Sequence, residues 1–259
     1  MSYSDNSHIW IARKSKNHLA HDWIEKPAMK SLLPDLKSQN ILCLGCGSGE
    51  EVLELSQLGA SYILGIDSSN ELIEFANNNY SKANKIEFKT AKIEDINESF
   101  LEKQSNKVTR FDLVYSSLAL HYIEDWERLL DNLRSILEPN AQILFSVHHP
   151  IKWGSQSTKT KEQNSFLLGY SKNKLNSNSY KVYGDYMTTR QVDYELFNKI
   201  PIQFYHRSIS TMWNEINNSG YQVLEFLEPK PIEEAKSKID FWEVYSRIPL
   251  FLIWKIKLK

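Results

Sequence analysis

Three glycines alternate with small residues in Gly45-Cys46-Gly47-Ser48-Gly49, directly after the apolar run Ile41-Leu42-Cys43-Leu44 and before Glu50-Glu51-Val52-Leu53-Glu54-Leu55. An apolar run of strand length, a glycine turn and a helix-forming segment predict a buried parallel strand feeding a helix. Glycine lets the backbone turn sharply and lets a ligand approach the main chain without a Cβ in the way. The N–H groups at the start of the helix form a polar cradle for an anionic or hydroxyl-rich ligand. This is the chemistry of holding a nucleotide-like cofactor.

The spacing narrows the cofactor. A dinucleotide fingerprint requires G-x-G-x-x-G, but here the third glycine comes one position early and Glu50 stands where Gly or Ala is needed. A carboxylate there faces a pyrophosphate badly. Downstream, Tyr62-Ile63-Leu64-Gly65-Ile66-Asp67 reads as a second strand ending in an acid, about 20 residues past the turn, where a ribose-binding carboxylate belongs. The site therefore calls for a ribose without a diphosphate.

These groups need a scaffold that brings strand ends together. The pattern predicts strands at 41–45, 61–66, 86–89, 111–115 and 141–147, and helices at 50–58, 70–80 and 124–137. A short helix from Pro27 to about Leu33 precedes them. Asp67-Ser68-Ser69-Asn70-Glu71 supplies capping groups for the helix at 70–80, and Pro139-Asn140 is read as ending the one at 124–137. Alternating strands and helices indicate an α/β fold: a Rossmann-like, doubly wound, mostly parallel seven-stranded sheet. Regularity lapses over 151–200, a length that in a compact domain marks a functional segment or disorder. It returns with a helix at 208–218 and strands at 221–227 and 249–258.

Taken together, Leu44–Glu50 and the strand-end Asp67 resemble the first two motifs of the class I S-adenosylmethionine-dependent methyltransferases. Thr90-Ala91-Lys92-Ile93-Glu94-Asp95-Ile96 is similar to their third motif, and Phe111–Tyr122 to the fourth motif of the small-molecule branch, methyltransferase type 11 or the ubiquinone-biosynthesis-like group. Ile24–Ala28, Ser146–Pro150, Phe204–Ser208 and Leu227–Pro231 resemble one bacterial subgroup of that branch, so the resemblance covers nearly the whole chain. It implies S-adenosyl-L-methionine as cofactor and S-adenosyl-L-homocysteine as product. The cofactor would be held by Gly45, Cys46, Gly47, Gly49, Asp67, Ser68, Ile93, Glu94 and Ser116, with Arg13 on its carboxylate beside Trp10. Glu94-Asp95 has a second reading, as acids that simply start a helix. The resemblance also implies an antiparallel C-terminal hairpin and a cover inserted after the fifth strand. The expected single domain comprises a cofactor core at 26–150, a substrate cover at 151–207 and a completing segment at 208–259. The subgroup more often carries an acid where His148 or His149 stands here.

Methyl transfer from a sulfonium asks mainly for alignment and exclusion of water. A base matters where the acceptor is a protonated hydroxyl or amine, and histidine titrates in the right range. Of the seven histidines, His121 follows the fourth strand and is expected nearest the methyl group. His149 and His206 flank the insertion and are expected to converge on the acceptor. A structural hydrogen bond is the alternative for each. Arg207 is a candidate holder of a substrate carboxylate or phosphate, and the tyrosines between Tyr170 and Tyr194 are candidates to line an apolar pocket.

Composition limits the partners. The 259-residue chain is 41% hydrophobic, enough for one substantial core with a cover. A formal net charge of −1 provides no global field for nucleic acid. An RNA-modifying methyltransferase, drawing on Lys152, Lys159, Lys161, Lys172 and Lys174, stays open beside the favoured small-molecule acceptor. So does a non-catalytic cofactor-binding protein. The apolar run Ile248–Trp254 is too short to span a bilayer, and residues 1–25 hold no apolar leader. A cytoplasmic monomer or homodimer is expected. No metal site is expected: Cys43 and Cys46 lack partner ligands, and Cys43 lacks the helix-terminal placement of a redox cysteine.

Overall fold

Alternate residues of the first apolar run part to opposite faces of one sheet, as the two-residue strand period requires. In the computed structural model, which describes residues 20–81, 85–103, 108–159, 163–172, 179–196, 200–238 and 242–259, Ile41 and Cys43 pack on one face while Leu42 and Leu44 pack on the other. Along the chain come β1 (Asn40–Leu44), β2 (Tyr62–Asp67), β3 (Ile86–Thr90), β4 (Phe111–Ser116) and β5 (Leu137–His148). Six short strands follow: β6 (Gln156–Lys159), β7 (Asn164–Leu167), β8 (Gly169–Lys172), β9 (Tyr180–Tyr183), β10 (Arg190–Leu196) and β11 (Ile200–His206). Then come β12 (Tyr221–Leu227) and β13 (Phe251–Leu258).

The main sheet has the order β12-β13-β5-β4-β1-β2-β3. Strands β1 to β5 run parallel, whereas β13 lies antiparallel to both β5 and β12. The strand order reverses between β1 and β4, so a crevice opens at their carboxyl ends, where open α/β sheets bind ligands. The expected seven-stranded sheet with an antiparallel C-terminal hairpin is the one observed.

The helices are α1 (Lys26–Ser31), α2 (Glu50–Gln57), α3 (Asn70–Tyr80), α4 (Glu98–Lys103), α5 (Trp126–Arg134), α6 (Pro150–Gly154), α7 (Ile209–Asn218) and α8 (Trp242–Tyr245). A π-helical turn, His21–Glu25, leads directly into α1. On α5, Trp126, Leu129, Leu130 and Leu133 follow the i, i+3, i+4, i+7 spacing and are all buried. Each such side chain contributes roughly 1.5–3 kcal/mol of burial. The Asp125 carboxylate caps this helix by accepting the Arg128 N–H at 2.9 Å.

Two expectations need correction. The helix over 124–137 is shorter than predicted, and Pro139 lies within β5. It is tolerated there because the β4–β5 register shifts between Phe111 and Leu113, leaving no ladder bond that needs its N–H. The described residues of 151–206 are not irregular: β6–β7, β8–β9 and β10–β11 form three antiparallel pairs. Both β8 and β9 are almost wholly exposed, so no inward-facing alternation betrays them in the sequence.

Candidate cofactor and acceptor site

At the end of β1 the glycines take up left-handed backbone. Gly45 has φ +67° and Gly49 φ +91°, which costs a residue with a Cβ roughly 1–2 kcal/mol. Space is equally restrictive. A Cβ on Gly45 would overlap the Ala119 methyl in the loop after β4, and one on Gly49 would meet Phe88 Cζ at 2.9 Å and Ala76 Cβ at 3.0 Å. The turn is thus pressed between the β4 loop and the β3–α3 layer.

Asp67 closes one side of the turn. Its Oδ2 accepts the Gly47 N–H and its Oδ1 the Ser69 N–H, both at 2.9 Å. Two amides therefore fix the orientation of a half-buried carboxylate beside the glycines. Ser68 is exposed next to it. Cys46 is buried and donates its N–H to the Ile66 carbonyl at 2.9 Å, while Cys43 packs in the core. Ile93, in a 3₁₀ turn, is buried with its Cδ1 3.7 Å from where a Gly45 Cβ would stand. Glu94 is half-buried, and its carbonyl accepts from Asn132 Nδ2 at 2.9 Å. The Ser116 hydroxyl is wholly buried and donates to the Leu44 carbonyl at 3.0 Å, pinning β4 to β1. Trp10, Arg13 and His18 lie outside the described residues.

The histidines divide. His121 is buried, and neither ring nitrogen has a hydrogen-bond partner among the described residues. Its ring lies 4.6 Å from His148 and 6.0 Å from Phe204, centroid to centroid. His121, His148 and His206 line one small cavity with Trp153, Phe204 and Arg207. Burial, with a smaller push from His148, holds His121 well below the usual histidine range. Burial takes His148 down to about 3, with the Lys152 charge adding to it. His206 reaches the cavity wall but spends Nε2 on the Tyr186 carbonyl at 3.0 Å. His149 points elsewhere. Its Nε2 pairs with Glu228 at 2.7 Å, and its Nδ1 accepts the Ile151 N–H at 3.2 Å to cap α6. Arg207 is buried and engaged with Glu215 at 2.8 Å and with the Glu124 carbonyl, although Nη1 has no partner among the described residues. Among the tyrosines, Tyr194 packs against Trp153 and Phe204, whereas Tyr170 and Tyr180 are exposed.

A second polar group was not anticipated. His21 Nε2 lies 3.1 Å from Glu25 Oε2, 2.9 Å from Glu51 Oε1 and 3.2 Å from Ser117 Oγ. Glu25 is wholly buried, and its Oε1 accepts the hydroxyls of Ser117, at 3.0 Å, and of Ser146. The Ser146 hydroxyl also accepts the Leu118 N–H at 2.9 Å. Burial alone would lower the His21 pKa, but hydrogen bonds to the Asp22, Glu25 and Glu51 carboxylates hold it well above its ordinary value. The ligand atoms of His21, Glu25 and Glu51 lie within 4.8 Å of one another, close enough to share a cation. His21 and Glu25 are separated by four positions, which puts them on one helical face. That spacing is the only signal the sequence offered.

The residues fit an adenosyl ligand with an amino-acid tail. A fixed carboxylate stands at the end of β2 and a glycine turn opens at the switch point. Sheet order, turn and strand-end acid define a class I S-adenosylmethionine-dependent methyltransferase, an enzyme class whose cofactor is S-adenosylmethionine. Residues 42–145 match the family described as Methyltransferase domain. The chain is 29% identical to an uncharacterized protein of Haemophilus influenzae, over 89% of this chain and 85% of that protein. It is 28% identical to a trans-aconitate 2-methyltransferase of Deinococcus radiodurans, over 46% of this chain and 42% of that enzyme. A crystal structure of an S-adenosylmethionine-dependent methyltransferase from Mesorhizobium loti superposes with a TM-score of 0.71 at 25% identity, covering 90% of this chain and 96% of that one. No described helix is long and apolar enough to cross a membrane.

Proposed function

We propose that the chain moves a methyl group from S-adenosylmethionine to a small-molecule acceptor, leaving S-adenosylhomocysteine. In this reading residues 26–150 hold the cofactor, 151–207 cover the acceptor and 208–259 complete the sheet. The observation that carries it is the largely aromatic lining of the cavity after β4, whose charged side chain, Arg207, is already paired with Glu215. His121 and His148 are kept neutral, and Trp153 and Phe204 pack edge-on at 4.5 Å. Lys152 argues against a phosphate track, because its Nζ sits 4.6 Å over the Trp153 ring.

When bound, S-adenosylmethionine supplies a methyl group already activated on a sulfonium sulfur. The chain adds alignment, a dry surrounding and, for an acceptor bearing a proton, somewhere for that proton to go. Asp67 takes the ribose hydroxyls, and Ile93 packs beside the adenine. Neutral His121 accepts the proton at a ring nitrogen that no other described residue uses. His206, held by Tyr186, and the Trp153–Phe204 pair exclude water. The cavity measures about 10 Å³, the space of a single water, so an acceptor enters by parting these side chains.

The test is transfer of labelled methyl from S-adenosylmethionine to a panel of small phenols, amines and carboxylic acids, run beside total RNA. Label in the small-molecule fraction, reduced by His121→Gln, supports the reading. Label in RNA alone overturns it.

A further inference from the structure

Six buried side-chain nitrogens that lack a partner among the described residues belong to five side chains lining a single cavity. They are both nitrogens of His121, Nδ1 of His148, Nε1 of Trp153, Nδ1 of His206 and Nη1 of Arg207. Buried groups without hydrogen bonds are costly, and their concentration in one place marks a site for a ligand that supplies the missing partners. One water fills the cavity of about 10 Å³ and makes at most about four hydrogen bonds, which leaves nitrogens over.

Two of the six can only donate. The guanidinium and the indole have no acceptor, so Arg207 Nη1 and Trp153 Nε1 call for lone pairs. Neutral His121 adds one donor and one acceptor. His206 gives its Nε2 proton to the Tyr186 carbonyl at 3.0 Å, which leaves Nδ1 as an acceptor. Arg207 also brings charge. Its Nε is taken by Glu215 and its Nη2 by the Glu124 carbonyl, so Nη1 is the corner of the guanidinium left for a ligand. The Glu215 side chain is 21% exposed and its charge is screened by water, whereas Arg207 is 2% exposed, so the pair does not cancel inside the cavity. A guanidinium shared in this way suits a monoanion with planar oxygens, a carboxylate, better than a phosphate dianion. Trp153 and Phe204, edge-on at 4.5 Å, suit a ring beside it.

We propose that the acceptor is a small aromatic acid whose carboxylate is received by Arg207 Nη1, with Trp153 Nε1 as a second donor, while a hydroxyl or amine on the same ring meets His121. This rests on the small-molecule reading and narrows it. Both Arg207 and Trp153 lie outside the matched stretch 42–145, so these donors belong to this chain's cover.

The experiment is calorimetric titration of salicylate, anthranilate and their primary amides into protein saturated with S-adenosylhomocysteine. The amide keeps the ring and one carbonyl oxygen but loses the charge. At least one acid is expected to bind wild type about tenfold or more tighter than its amide. In Arg207→Gln that ratio is expected to fall to about one, with unchanged affinity for S-adenosylhomocysteine reporting an intact fold. Trp153→Phe, which keeps a ring and removes the N–H, is expected to weaken the acid about three- to tenfold. Should Arg207→Gln fail to fold, Glu215→Gln carries the test in the opposite direction. It frees the guanidinium and is expected to tighten the acid about three- to tenfold with the amide unchanged. No preference for either acid, a preference that survives in Arg207→Gln, or no tightening in Glu215→Gln overturns the inference. So does inorganic phosphate that binds more tightly than the acids and is lost in Arg207→Gln. Methyl transfer to uncharged phenols or amines with no acid preference sinks this inference alone, whereas acids bound through Arg207 beside label found only in RNA sink the small-molecule reading instead.

Discussion

The carboxylate of Glu25 accepts the hydroxyl of Ser117 at 3.0 Å across 92 residues of chain, tying the turn before β1 to the loop after β4. Ser146, at the end of β5, donates to the same Glu25 oxygen. Three separate stretches therefore meet at one buried carboxylate, and the cofactor crevice depends on their staying together.

Ser146→Ala removes a donor to Glu25 and the acceptor of the Leu118 N–H in one change. Leaving buried polar groups without partners costs roughly 1–3 kcal/mol. Urea denaturation should show a lower midpoint with an unchanged slope. An unchanged midpoint would mean that the network contributes nothing to the fold.

Gly45→Ala places a methyl against Ala119 at φ +67°. The expected loss is about 2–4 kcal/mol, combining backbone strain with overpacking. Binding of S-adenosylhomocysteine should weaken at least tenfold, because the turn and the β4 loop cannot both keep their positions. Thermal melts and calorimetry read the two effects separately.

Acid should destabilise the protein through its buried histidines. His121 and His148 have folded-state pKa values below the ordinary 6.5, so the unfolded chain binds more protons as pH falls beneath 6.5, and stability drops. For His148, held near 3, the loss at pH 5 is at most roughly 2 kcal/mol, the side chain being partly exposed while its Nδ1 is not. His148→Phe should flatten the fall between pH 7 and 5 seen by chemical denaturation. A mutant curve parallel to wild type would contradict this.

His121→Gln should lower turnover by about 10²–10⁴-fold on an acceptor that must lose a proton, with affinity for S-adenosylhomocysteine unchanged. Because the His121 pKa is depressed, the base form is already present at neutral pH. The wild-type rate should therefore show no inflection from this group between pH 6.5 and 8, and should decline only in acid. A histidine inflection near 6.5 to 7 that vanishes in His121→Gln would place the proton acceptor in a more solvated setting.

Much of the fold was legible because its signals are local. The Ile41–Leu44 run, the glycines at 45, 47 and 49 and the strand-end Asp67 each obey a short-range rule, and Asp67 does lie against the Gly47 amide. Hairpin β10–β11 carried a readable sign in Ile202 and Phe204, which face Val192 and Tyr194 on alternate positions, but the polar strands β8 and β9 carried none. The histidines show where sequence stops. His148 and His149 are neighbours, yet strand alternation sends one into the cavity and the other to Glu228, and choosing between them requires the register of β5 against β13. The Glu25 cluster is still less visible, since Glu25, Ser117 and Ser146 come together only through the tertiary fold.

The measurement closest to the central claim is calorimetric titration of S-adenosylhomocysteine into wild type and into Asp67→Ala, with NAD as the control. The account predicts micromolar binding to wild type, a loss of at least about tenfold in Asp67→Ala as a fixed carboxylate on a ribose diol implies, and no binding of NAD. Binding of NAD without S-adenosylhomocysteine, or equal binding to Asp67→Ala and wild type, would contradict it.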